Sequence, residues 1–193
     1  MSSLKKTARL AGLLYLLCAV TTGFGVVYVR SKLIVFADAA ATANNIQANE
    51  SLFRIAVVSN LFSQLFLFFF GLTVFRLFKR VNKTWATVVL TSILISVAIS
   101  VVNTLNRIAA LVILSKADYL NAFQQEQLNA IMMIFLRLNN FGIGLAELFL
   151  GPYLFAFGFL IIRSRFIPRI FGILLTIGSF GFPINTFTKL LIP

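Results

Sequence analysis

Apolar residues in this chain run in long blocks, not in the short alternations of a strand or the narrow stripe of a surface helix. A helix that crosses a bilayer needs about 20 mostly apolar residues. Five blocks reach that length, near Leu10–Val29, Leu52–Phe75, Trp85–Leu114, Ile131–Ile162 and Ile170–Phe187. They predict an all-α bundle of five transmembrane spans forming one integral membrane domain over residues 1–193.

Polar segments between the blocks carry helix signals of their own. Asp38 is placed to cap a short helix over Ala39–Ala43, and Asp118 to cap a helix leading into the fourth block. Run unbroken from Tyr119 to Ile162, that helix is about 66 Å long, roughly twice the hydrocarbon thickness. It must project outward or break, and Asn139-Asn140 is the expected break.

Polar residues inside the blocks fall on single faces. Asn60, Ser63, Gln64 and Gly71 share a face of span two, with Arg54 near its mouth. Ser92, Ser96, Asn103, Asn106 and Arg107 share one on span three; Arg137, Asn140, Gly144, Glu147 and Gly151 share one on span four. Ionisable groups in a span are costly and normally face the bundle interior or water. Helix rise puts Arg107 and Glu147 at similar depths, about 10–12 Å in. They are expected to pair. Arg54 and Arg137 are expected nearby, although both also suit snorkelling to headgroups. Gly151 and Pro152 predict a kink one turn past Glu147. Ser63, Ser92, Ser96 and Gly71 read as helix-packing positions.

Composition agrees with the blocks. Of 193 residues, 60% are apolar and 11% charged, and the mean hydropathy is +0.96. A soluble domain carries about 25% charged residues. The net charge of +12 would suggest nucleic acid in a soluble protein, but here it reads as topology and contact with the lipid bilayer. Lys5, Lys6, Arg9, Arg76, Lys79, Arg80, Lys83, Arg163, Arg165 and Arg169 fall on one side, which holds no acid. By the positive-inside rule that side, with the N-terminus, is cytoplasmic. The first block follows Lys5, Lys6 and Arg9 but is too long for a signal peptide and lacks its cleavage site, so it reads as an uncleaved helix.

The chain has no His and one Cys. That argues against a metal site, a Ser-His-Asp triad and a disulfide. No two acids lie close in one span, and no nucleotide-binding glycine loop occurs. No cofactor and no catalytic residue are expected. The leading expectation is a polar, net-positive cavity, open to the outer side, that binds a small anionic or amphiphilic ligand for sensing or transport. Its candidate residues are Arg54, Asn60, Gln64, Asn103, Asn106, Arg107, Arg137, Asn140 and Glu147. The alternative is an accessory subunit whose polar faces only join helices or a partner. A lipid-modifying enzyme is the least supported.

Three stretches carry a family resemblance. They are Ala8-Arg9-Leu10-Ala11-Gly12-Leu13-Leu14-Tyr15-Leu16, Phe75-Arg76-Leu77-Phe78-Lys79-Arg80-Val81-Asn82-Lys83, and Leu160 to Leu175 with its Arg163-Ser164-Arg165-Phe166-Ile167-Pro168-Arg169 turn. Together they resemble the bacterial membrane-protein family catalogued as domain of unknown function 4386. The resemblance implies a multi-pass protein of the bacterial inner membrane, with no established activity and no residue roles to carry over. It also implies a further hydrophobic segment, so a six-span member lacking its last helix is an expectation.

Overall fold

A computed structural model describes residues 2–115, 117–164 and 167–191; Arg165 of the basic turn lies outside them. Five helices are long and apolar enough to cross a membrane: residues 4–33, 50–78, 83–113, 125–164 and 169–188. No strand occurs among the described residues. The chain is a multi-pass integral membrane protein.

Two of the five spans are regular. α4 (Glu50–Phe78) and α5 (Lys83–Ile113) are single helices joined by a tight turn, and the Asn82 side chain caps α5 by accepting from the Trp85 amide at 3.0 Å. The other three spans lose their regularity once each. Span one is α1 (Ser2–Thr22), a π-helical turn over Gly23–Tyr28, and α2 (Val29–Leu33). Span four is α6 (Gln125–Leu148) and α7 (Leu150–Ser164), interrupted at Phe149, whose amide bonds to the Ala146 carbonyl three residues back. Span five is α8 (Arg169–Gly178) and α9 (Gly181–Leu191), interrupted at Ser179 and Phe180.

Local chemistry explains most of these features. Asp38 caps α3 (Ala39–Ala48) by accepting from the Ala41 amide at 2.8 Å. Asp118 does not cap the long helix. It opens a short 3-10 turn over Asp118–Ala122, and Gln124 caps α6 through a reciprocal pair with Gln127. The helix remains intact through Asn139-Asn140 and stops at Phe149. Pro152 then sits in the first turn of α7, where a missing amide hydrogen removes no helical bond. The two interruptions abut. A Cβ on Gly151 would lie 3.0 Å from Pro183 and 3.1 Å from the Ser179 carbonyl, so only glycine lets the breaks of spans four and five close on each other.

α5 is the central helix, packed against α4, α6 and α7; α1 packs along α4, α8 along α7, and α9 on α6 and α7. Two dry clusters result. One, toward the basic end, includes Phe70, Phe78, Ile93, Ala156 and Leu160. The other, toward the opposite end, includes Leu33, Ile46, Phe53, Ala110, Met132 and Leu136, and α3 closes over it. Between them lies a polar band.

Candidate functional site

The polar band begins with a buried cation. Arg107 of α5 is 3% exposed. Its Nε donates to Asn139 Oδ1 at 3.2 Å and its Nη1 to the Gly25 carbonyl at 3.4 Å. Gly25 belongs to the π-helical turn, and a Cβ there would lie 2.8 Å from the Ala56 carbonyl. That glycine therefore lets span one approach α4 closely enough to present its carbonyl to α5.

Asn139 is itself held in a reciprocal clamp. Asn103 Nδ2 donates to the Asn139 carbonyl at 2.9 Å, and Asn139 Nδ2 donates to the Asn103 carbonyl at 3.2 Å. Asn106 Nδ2 donates to Asn103 Oδ1 at 2.9 Å. Gly142 leaves room for the clamp, since a Cβ there would strike the Asn103 carboxamide. Span one joins span two through Ser63, which bonds to Cys18 at 3.4 Å and to Thr22.

Below this network is a cavity of about 460 Å3, lined from all five spans. Its polar lining includes Asn60, Gln64, Asn103, Arg107, Asn139 and Glu147; Tyr15, Leu67, Leu154 and Phe182 supply apolar wall. Each irregular stretch of helix borders it: Gly23 and Val27 of the π turn, Leu150 beside the break in span four, and Phe182 beside the break in span five. Beyond its lining residues, the buried side chains of Val29, Val57, Ala110 and Leu136 stand in the second dry cluster.

Of the nine residues expected to form a site, Asn60, Gln64, Asn103, Arg107 and Glu147 line this cavity. Asn106 stands one bond behind, through Asn103. Arg54 does not reach it: it faces a separate surface groove between α4 and α5 and bonds to Glu50 at 2.7 Å. Arg137 is exposed and donates to the Phe36 carbonyl at 3.0 Å. Asn140 points away from the cavity and accepts from Arg30 Nη2 at 2.7 Å. Gly151 and Pro152 lie just past the break at Phe149.

The expected Arg107–Glu147 contact is absent. Both line the cavity, yet no ion pair joins them, and the Glu147 side chain makes no hydrogen bond to any other described residue. The eight residues from Asn139, where Arg107 is anchored, to Glu147 put about 12 Å of helix axis between the two levels. Depth estimated from separate span ends missed this offset.

Two contributors escape a sequence reading. Asn139, not Asn140, turns toward α5; one residue is a 100° step, and the choice between neighbours depends on which helix lies opposite. Arg30 leaves span one, crosses the Phe36 ring at 5.1 Å and reaches Asn140. It lies within electrostatic range of both Arg107 and Glu147. Two cations and one acid thus set the local field. Among the described residues, no group of His, Cys, Asp and Glu has the arrangement of a metal site.

Residues 10–193 match the family described as Domain of unknown function (DUF4386), and the chain belongs to that family. No curated protein and no solved structure matches it.

Proposed function

We propose that the protein is a membrane-embedded binding protein whose central cavity takes a small amphiphile by an anionic group. One observation carries the reading: three of five spans give up regular helix around a cavity of about 460 Å3, and Arg107 is buried there with no ion pair to a carboxylate among the described residues. Irregular backbone at membrane depth is tolerated only where it is buried in protein or lines a cavity. A buried charge without a counter-ion is costly, and such intramembrane charges usually mark a ligand or ion pathway. An anionic group meeting Arg107 supplies the missing counter-charge. Asn60 and Asn103 offer hydrogen bonds beside it, and Leu67, Leu154 and Phe182 offer an apolar wall for the remainder.

Access is from the bilayer. The second dry cluster lies toward the far end, whereas α1 packs chiefly on α4 and makes few contacts with α7 and α9. The basic end, with the N-terminus, faces the cytoplasm of a bacterial inner membrane. In a Cys18→Ser background, cysteines placed at Lys79 and Ser164 should resist an impermeant thiol reagent in intact cells, and one at Asn45 should react. The reverse pattern overturns that orientation.

The Asn103–Asn139 clamp favours a second reading, an accessory subunit whose polar faces only join helices. Native mass spectrometry of the detergent-purified protein separates the two. A binding protein carries an amphiphile adduct that Arg107→Gln loses while staying folded. An accessory subunit shows the same spectrum with and without the change.

A further inference from the structure

The geometry points to a ligand head that carries an N–H-bearing ammonium as well as an anion: a zwitterion held between Arg107 and Glu147. This rests on the binding reading above and adds the second charge.

Two acceptors in the cavity lack a donor. Gln64 Oε1 is buried with no hydrogen-bond partner. The Glu147 side chain makes neither a hydrogen bond nor an ion pair with any described residue. A buried unpaired acceptor is costly, which applies to Gln64, and the half-buried Glu147 adds an unpaired carboxylate on the cavity wall. Both lie on cavity-lining helices, Gln64 on α4 and Glu147 on α6. The cations near Glu147 direct bonds to other groups, and neither forms an ion pair with it. Arg30 is bonded to Asn140, and Arg107 to Asn139 and Gly25. A donor cation on a bound ligand would serve both acceptors at once.

The spacing suits a zwitterion. Asn139, which anchors Arg107, and Glu147 are offset by about 12 Å along α6. Two charge-assisted bonds, each about 2.8 Å long, take up roughly half of that. The remainder accommodates a head whose own charges lie a few ångströms apart. A purely anionic head would satisfy Arg107 and leave Glu147 facing a second negative charge. A quaternary ammonium would neutralise Glu147 but has no N–H for Gln64. The fitting chemistry is a primary ammonium and an anion on one amphiphile, either an ethanolamine lipid head or a free apolar amino acid.

The test uses the full-length protein in detergent, with native mass spectrometry against lysophosphatidylethanolamine, lysophosphatidylcholine and lysophosphatidylglycerol of one chain length, and against leucine. Wild type should bind one zwitterionic ligand, lysophosphatidylethanolamine or leucine, about tenfold more tightly than lysophosphatidylglycerol, the size of effect expected for one added charge-assisted contact. Whichever of the two binds identifies the source. Glu147→Gln should erase the preference while lysophosphatidylglycerol binding persists, and Gln64→Leu should weaken it; if Glu147→Gln fails to fold, Gln64→Leu alone decides. Equal or tighter binding of lysophosphatidylglycerol by wild type overturns the zwitterion and leaves the anion-binding cavity standing. So does a preference that survives both substitutions. Lysophosphatidylcholine matching lysophosphatidylethanolamine overturns the need for an N–H donor. If no ligand binds, both the zwitterion and the cavity reading fall.

Discussion

Toward the basic end, Phe78 and Phe70 meet the Phe157 ring edge-on, at 5.6 and 6.2 Å, and Ile93 fills the space beside Gly71. One turn further along α5 the inward residues become Ser96, Ser100 and Asn103, and the facing helices break. The same spans therefore do two jobs at two depths. In the dry half, small residues and rings fit closely and the helices stay regular. In the polar band, close fit is given up for a cavity, and the chain holds together there through side-chain hydrogen bonds to backbone carbonyls. In lipid no hydrophobic force separates these regimes, because the surrounding tails are as apolar as the core. Packing holds one half and hydrogen bonding the other, so the two halves should respond differently to substitution.

The largest effect is expected in the dry half. Phe78→Ala removes a fully buried ring shared by α4 and α7. It should cost on the order of 2–3 kcal/mol, somewhat below the usual aqueous figure because the unfolded side chain still sits in lipid. Unfolding by added SDS measures the loss, and the amphiphile adduct per folded molecule should be unchanged. A lost adduct would mean that the two halves are not separate.

Asn139→Ala should cost about 2 kcal/mol, since it strands Arg107 Nε and removes the Asn139 side-chain donor to the Asn103 carbonyl. Here the adduct should go too, which distinguishes a polar-band change from a packing change of similar size. Gly142→Ala should cost about 1 kcal/mol by pushing the Asn103 carboxamide aside. Its signature is partial: a weakened adduct with most of the stability retained. A neutral result would show that the Asn103–Asn139 clamp can shift without loss.

The smallest effect belongs to Arg54→Ala. Its pair with Glu50 is an exposed one-turn contact on the helix surface, so the change should stay within about 0.5 kcal/mol and leave the adduct alone. Loss of the adduct there would bring the α4–α5 groove into the site.

What the chain determines locally was readable from its residues. Five spans follow from the length of five apolar runs, a property no neighbour can alter. The Asp38 cap follows from one side chain and the amide three residues on. That Arg107 and Glu147 face inward follows from the cost of exposing charge to lipid. The identity of their partners did not follow. Periodicity orders residues around a helix but does not say which neighbour stands where, so Asn139 and Asn140 exchanged roles. A long side chain crosses between helices, so Arg30 reaches Asn140 of span four from span one, a contact no periodicity along either span reveals. Gly151 and Pro152 mark an irregularity in this turn of span four, but that Gly151 lies against Pro183 and the Ser179 carbonyl of span five is set by packing. A span's length is set along the chain; the direction its charges face, and whether they meet, is set by the packing of the other four.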